Sequence, residues 1–272
     1  MKLTLRLSVC SLYDRSKMKI LGGAVKTSLI LQAMFFLWSL KSCKSMDTSF
    51  SLEVPKEGFE VIQQIPSSQK GREKNALYLS PRRIRDDEFN TPALKTLVDS
   101  MYTMMIRKSG VGIAANQIGK RLQIFIIEAK PNNPRYKVLG PVPMKVFINP
   151  RITQVSTTRK NFWHGCLSAA GEKRGNVATY EWLDYQCQNE KGEIETGRLE
   201  GFAAVIFQHE FRHLMSGTYL DVSKQYLSKN ELDIEIEAGR IPFFEMVGDS
   251  LPLLIQGYVI GQTLDEYHAT LK

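Results

Sequence analysis

Residues 207–217 read FQHEFRHLMSG, and the rest of the fold is organised around them. His209 and His213 stand four apart, and Glu210 follows the first. On a helix, positions i and i+4 share one face. Phe202, Val205, Ile206, His209 and His213 fall at i, i+3, i+4, i+7 and i+11, which is one stripe, and Gly217 offers a stop. A helix over about 202–215 therefore turns both imidazoles inward. Two uncharged imidazoles buried together need partners, and a metal ion is the natural one. Glu210 leaves the stripe by about 100°. It can sit beside an ion's water without being a ligand, which suits a general base.

A third ligand must come from elsewhere. The chain has only four histidines, His164, His209, His213 and His268. Ser216 and Tyr219 stand where a metzincin needs glycine and histidine, which excludes that class. A thermolysin-like arrangement would draw on a later glutamate, and Glu231 in SKNELDIE lies at a tolerable distance. The stronger candidate is upstream. Cys166 lies in WHGCLSAAG among small and turn-forming residues. As a thiolate it would complete a His, His, Cys set with a fourth position left for water.

Residues 110–119 read GVGIAANQIG. A dinucleotide fingerprint needs a strand before it and a helix after it. Here the order is reversed. Pro92 to Arg107 reads as a helix, with Thr91 as cap, Pro92 in the first turn, and Leu94, Leu97, Val98, Met101 and Met105 as its apolar stripe. Leu122 to Ile127 then reads as a strand. The glycines instead suit a loop that brings backbone close to an extended substrate, with Gln117 supplying an amide donor.

GVGIAANQIG, HGCLS and QHEFRH, in this order, resemble the three signature motifs of the peptide deformylase family, roughly GxGLAAxQ, EGCLS and QHExDH. The resemblance covers about residues 77–225. It implies that Cys166, His209 and His213 bind one divalent metal ion, that Glu210 is the general acid/base, and that Gln117 with the backbone N–H of Leu167 forms the oxyanion hole. It implies a hydrolase that removes the formyl group from N-formylmethionyl peptides and releases formate. The family's usual ion is Fe²⁺, though Cys-His-His ligation does not separate iron from zinc, nickel or cobalt. Phe202 and Val205 resemble positions that line the methionine pocket. The loop Gly110, Val111, Gly112 and Ile113 could pair with the substrate backbone as an added strand.

The chain departs from the pattern at three places. His164 replaces the Glu of EGCLS, Ala170 replaces a common proline, and Arg212 replaces the Asp of HExDH. Arg174 resembles a family arginine that helps hold the loop, where a glutamate would normally pair with it. His164 and Arg212 are therefore expected to reorganise the surroundings of the ligands.

The net charge of +8 is not spread evenly. Residues 1–46 hold Lys2, Arg6, Arg15, Lys17, Lys19, Lys26, Lys41 and Lys44 against Asp14 alone. The remainder is near neutral, so no nucleic-acid site is evident, and ribosome proximity follows only from the resemblance. The apolar run Ser28 to Leu40 is too short for a membrane span and fits a signal or transit segment. Alternatively the start lies later, since Met18 and Met46 are available. Cys10 and Cys43 fall in this segment, leaving Cys166 and Cys187 with no disulfide framework. A thiolate ligand is safer in a reducing compartment, which favours a bacterial cytoplasm or an organelle matrix.

The expected organisation is a leader or mis-assigned start over 1–46, a polar linker over 47–76, a catalytic domain over 77–225 and a helical extension over 226–272. Short strands are expected at Val146–Ile148 and Ile152–Ser156, after a Pro/Asn-rich loop from Pro131 to Pro143. Val177 to Gln188 alternates and turns at Asn189–Gly192 into Ile194–Arg198, a hairpin. The apolar tail LPLLIQGYVIG, 251–261, is expected to be a helix across the sheet, because Asp249 and Pro252 argue against membrane contact. The fold class is α+β, with antiparallel sheets packed around a central helix carrying HExxH. Two other readings remain open: an HExxH metallopeptidase using Glu231, and a deformylase relative kept as a binding protein.

Overall fold

The computed structural model describes residues 58–132, 139–169, 173–242, 245–246 and 250–271. The expected leader, with Ser28–Leu40, Cys10 and Cys43, lies outside the described residues, as do Ala170 and residues 133–138 of the Pro/Asn-rich loop. Among the described residues no helix is long and apolar enough to cross a membrane.

The fold is α+β. Helix α1 (Pro92–Arg107) is followed by β1 (Gly112–Ala114), β2 (Ile124–Ala129), β3 (Val142–Val155), β4 (Arg159–His164), β5 (Lys173–Tyr180), β6 (Trp182–Gln188) and β7 (Ile194–Glu200). Then come α2 (Gly201–Leu214), β8 (Gln225–Ser228), α3 (Lys229–Glu237), β9 (Glu245–Met246) and α4 (Leu264–Ala269). Two antiparallel sheets form, ordered β1-β2-β3-β6-β7 and β8-β5-β4-β9. Helix α2 touches strands of both.

The helix termini follow local chemistry. Leu94 N–H donates to Thr91 Oγ1 at 3.2 Å, Pro92 opens the first turn, and the five stripe residues of α1 are all buried. Helix α2 grows straight out of β7. Gly201 makes that junction with φ 55°, where a side chain would be strained. More of α2 is buried than one stripe predicts: Gln208 and Glu210 are inside with the histidines. Gln208 is satisfied by pairing with the backbone of β5, donating to Tyr180 O at 2.9 Å and accepting from Tyr180 N–H at 2.9 Å. Phe207 anchors the other side, with its ring edge-on to Phe125 and Phe147 at 5.0 Å each.

Several expectations need correction. The strand expected at 122–127 runs Ile124–Ala129. The two short strands at 146–148 and 152–156 are one long strand, β3. Asn149 takes φ 49° and Pro150 lacks an N–H, but the register shift between Ile148 and Arg151 absorbs both, so the chain bulges instead of breaking. The alternation from Val177 to Gln188 is two strands in different sheets. The chain changes sheet at Glu181, whose N–H turns to Ser156 Oγ at 2.9 Å. The hairpin from β6 into β7 forms as expected.

The tail 251–261 is not a helix. Pro252 and the left-handed Gly257 (φ 86°) and Gly261 (φ 96°) prevent one. Instead Leu253 forms a parallel bridge to Ala178, and Leu254, Ile255 and Tyr258 enter the core. Residues 226–272 are therefore mixed, with β8 in the smaller sheet. The described part of the expected linker is also ordered against the core: Phe59 is buried beside α1, and 3-10 turns form at Arg72–Lys74 and Ala76–Tyr78.

Candidate metal centre and active site

Two loops and a helix meet at one cleft. Helix α2 supplies His209, Glu210 and His213, the turn after β4 supplies Cys166 and Leu167, and the segment from Ser109 through Gln117 closes the third side. Cys166 Sγ lies 3.2 Å from His213 Nε2. One donor atom from each of Cys166, His209 and His213 lies within 4.8 Å of the others. That spacing suits a single ion at the usual bond lengths of about 2.0–2.3 Å.

The surroundings prepare these donors. Burial pushes the His209 imidazole down to about 4, and burial followed by the neighbouring His209 pushes His164 and His213 well below the ordinary value. All three rings are neutral at pH 7, the form that binds a metal. The Cys166 thiol is pushed up to about 12, first by burial and then by Glu210. Gln117 Nε2 at 3.3 Å and Ser168 N–H at 3.4 Å oppose this by donating to Sγ. A cation among the donors would reverse the balance and favour the thiolate. The residues present therefore fit a divalent ion: three donors converge, the two histidines are buried, and a cation there would hold the thiolate.

Glu210 is buried, and its Oε2 has no hydrogen-bond partner among the described residues. Burial pushes its carboxyl well above the ordinary range. Gly112 makes room for it: a Cβ there would stand 2.3 Å from Glu210 Oε1. Gln117 is held from both ends of its amide. Its Oε1 accepts from Ala114 N–H at 2.8 Å, and its Nε2 donates to Ser168 Oγ at 3.1 Å. This aims the amide N–H at the cysteine side of the cleft. Asn116 Nδ2 ties the same segment to α2 by donating to His213 O at 2.7 Å.

Gly110, Val111, Gly112, Phe202 and Val205, expected to bind substrate, line the cleft. Ile113 does not. Alternation along β1 turns it into the core beneath α1, where it is fully buried. Phe162 and Ile206 line the cleft and escaped sequence reasoning. Ile206 lies on the predicted stripe, but β4, which carries Phe162, has no signal in one sequence. Glu231 is excluded as a ligand: it is exposed, and its carboxylate caps its own helix by accepting from Ser228 N–H at 2.7 Å.

His164 is buried with Nδ1 3.0 Å from His209 Nδ1, the two rings stacked at 5.2 Å. Arg174 lies behind Gly165, where a Cβ would fall 1.8 Å from its Nη1. Arg212 points away from the cleft. It packs on Gly217, and Tyr267 favours its charged form.

The geometry agrees with comparisons to known proteins. A family model described as polypeptide deformylase matches residues 73–229, which includes every residue of the cleft. The chain belongs to the peptide deformylase family. A peptide deformylase of Leptospira biflexa is 34% identical over 142 residues, 51% of this chain and 76% of that protein. Peptide deformylase 1 of Nitrosomonas europaea is 40% identical over 136 residues, 50% of this chain and 76% of that protein. Among solved structures, a Met-Ala-Ser-bound class I type b peptide deformylase from Acinetobacter baumannii superposes with TM-score 0.54 at 29% identity, covering 60% of this chain and 96% of that one. As a deformylase the chain is a hydrolase of protein synthesis, and its family acts on formylmethionyl peptides with a divalent metal.

Proposed function

We propose that this chain hydrolyses the N-formyl group of N-formylmethionyl peptides, giving formate and a free N-terminal amine. The observation that carries the reading is a buried carboxyl, Glu210, with one unpartnered oxygen beside the Cys166, His209 and His213 donor set. Cys166, His209 and His213 would hold a divalent ion, Fe²⁺ in our reading, which when bound would supply Lewis acidity to the attacking water. Glu210 accepts the proton released as water adds to the formyl carbon, and its raised proton affinity suits it to hold that proton. As the C–N bond breaks, Glu210 delivers the proton to the leaving amine, and the formic acid so formed loses its remaining proton to solvent as formate, so atoms and charge balance. Negative charge on the formyl oxygen is met by Gln117 Nε2–H and the Leu167 backbone N–H. Losing one such donor typically costs about 10²–10³ in rate.

Gly110, Val111 and Gly112, beside the free edge of β1, are positioned to pair with the peptide backbone. Phe162, Phe202, Val205 and Ile206 supply apolar walls for the methionine side chain. The compartment consistent with this reading is a bacterial cytoplasm or an organelle matrix, close to ribosomes that release formylated chains.

The test is formate release from formyl-Met-Ala-Ser by the full chain, purified without oxygen and loaded with Fe²⁺ or Ni²⁺, with Glu210→Ala alongside. The expected result is turnover that disappears in the variant while metal content stays at one ion per chain. A folded, metal-loaded protein with no turnover would favour a binding role instead.

A further inference from the structure

Residues 58–65 precede the family-matched region, yet they hydrogen-bond the backbone of the two loops that line its active site. Ile62 N–H donates to Gln117 O at 2.7 Å, and Gln64 N–H donates to Ser168 O at 2.8 Å. Between them, Gln63 Nε2 donates to Leu167 O at 3.2 Å. In extended chain the N–H groups of i and i+2 point the same way. One short stretch thus bridges the loop that carries Gln117 and the loop that carries Leu167. The bridge adds to the direct side-chain bonds from Gln117 Nε2 to Ser168 Oγ and Cys166 Sγ, which already join the two loops. The stretch is itself pinned. Phe59 is buried against α1, Asn75 Nδ2 donates to Gln63 O at 2.8 Å, and the Tyr78 hydroxyl bonds both Ile65 N–H and Ile65 O at 3.0 Å.

We infer that Val61–Ile65 is a strap that positions the oxyanion hole, fixing Gln117 and the Leu167 N–H relative to each other from outside the family's catalytic module. The inference rests on the functional reading above for what the two donors do. The strap touches no reacting atom. It acts by pinning the carbonyls on the far side of the two donor-bearing loops, so its loss lets the donors drift. A misplacement on the order of 1 Å can cost about 10²-fold in rate.

The test uses full-length variants at matched metal content. Gln64→Pro and Ile62→Pro each delete one bridging N–H while keeping an extended backbone. Expected is a fall in kcat of about ten- to a hundredfold with KM changed less than about twofold, because oxyanion donors act on the transition state. Gln64→Ala keeps the donor and restores the rate. Hydrogen exchange in residues 115–119 and 165–169 should accelerate in the proline variants. A folded Gln64→Pro protein with the parent's kcat and the parent's exchange overturns the strap. If the proline variants do not fold, Gln63→Ala decides: it removes the side-chain hydrogen bond to Leu167 O, expected to lower kcat about fivefold, and an unchanged rate refutes the inference. If the parent itself shows no turnover, the functional reading fails, and the exchange comparison alone judges the strap.

Discussion

Gly112→Ala is the sharpest test of how the cleft is built. The added Cβ would lie 2.3 Å from Glu210 Oε1, 2.7 Å from Cδ and 2.8 Å from Cγ. Ordinary contact begins near 3.4 Å, so about 1 Å of displacement must be found. The φ of Gly112 is one that any residue adopts, so the backbone is not strained by the change. Two things can yield, β1 or the carboxylate. The β1 backbone is held by its register with β2, Gly112 opposite Ile127, and by Glu128 N–H donating to Val111 O at 2.9 Å. The Glu210 carboxylate is the end of a side chain whose Oε2 has no partner among the described residues. The carboxylate should therefore move. A shift of that size in a general acid/base costs about 10²-fold, or about 2.7 kcal/mol of barrier.

The assay is kcat for formate release alongside metal content and thermal melting. Expected are a hundredfold lower kcat, full metal content and a Tm within a few degrees of the parent, since Ala for Gly in a strand-compatible conformation is itself mildly stabilising. Gly110→Ala is the comparison, because its Cβ would meet Leu167 Cδ1 at 3.0 Å and leave Glu210 alone. A Gly112→Ala enzyme within fivefold of the parent kcat would refute the claim that this glycine exists to seat Glu210. So would an enzyme that fails to fold.

Other outcomes follow from the same coordinates. Cys166→Ala should lose the metal ion while Glu231→Ala keeps it, read as metal per chain after gel filtration; the reverse would restore the thermolysin-like reading. Thr91→Ala should lower stability by about 1 kcal/mol in urea titrations, and Thr91→Ser should restore it. Burial alone would raise the Glu88 carboxyl, but hydrogen bonds from Arg82 and Arg85 outweigh it and hold it below 4.5. Its stabilisation is therefore present above the unfolded pKa and lost as pH falls through the depressed folded value. Glu88→Gln should flatten the fall of the urea midpoint below about pH 4, and an unchanged acid limb would contradict the ion pair's role.

What was legible in the sequence was legible for local reasons. Helix α1 announces itself through Thr91, Pro92 and a five-residue stripe, and α2 through its histidine spacing. The β6–β7 hairpin shows in its turn residues. The misreadings share a cause, which is that tertiary pairing overrode local signals. A Pro after a left-handed Asn looks like a break, but β3 carries both as a bulge. The switch of sheets at Glu181 leaves alternation intact on either side. Apolar residues in 251–261 looked helical because burial does not reveal backbone shape, and Gly257 and Gly261 set that shape. Ile113 was assigned to the substrate loop because it sits between residues that do line the cleft, yet in a strand the neighbour faces the other way. Residues 58–65 looked like a linker because backbone hydrogen bonds leave no pattern in side chains.

The two departures that most affect the motifs act in different places. His164 lies beside a candidate ligand. With His209 Nδ1 turned to His164, the nitrogen left for an ion is Nε2. His209 then keeps its proton on Nδ1, and His164 accepts it at 3.0 Å. A glutamate could accept in the same way but would bring a charge, whereas the buried imidazole is neutral. The cost is that His164 must carry its own proton on Nε2, which has no partner among the described residues. Such a group costs about 1–3 kcal/mol. Arg212 concerns the back of the helix instead. Burial lowers its proton affinity, and Tyr267 and Asp221 oppose this. Asp221 also pairs with Arg72, and His268 Nε2 meets Leu214 O at 2.7 Å. Arg72, Tyr267 and His268 all lie outside residues 73–229. The substituted arginine therefore meets both flanking segments behind the metal-binding helix, and they act in opposite senses: Tyr267 favours its charge, while the Arg72 guanidinium, paired with the same Asp221, disfavours it.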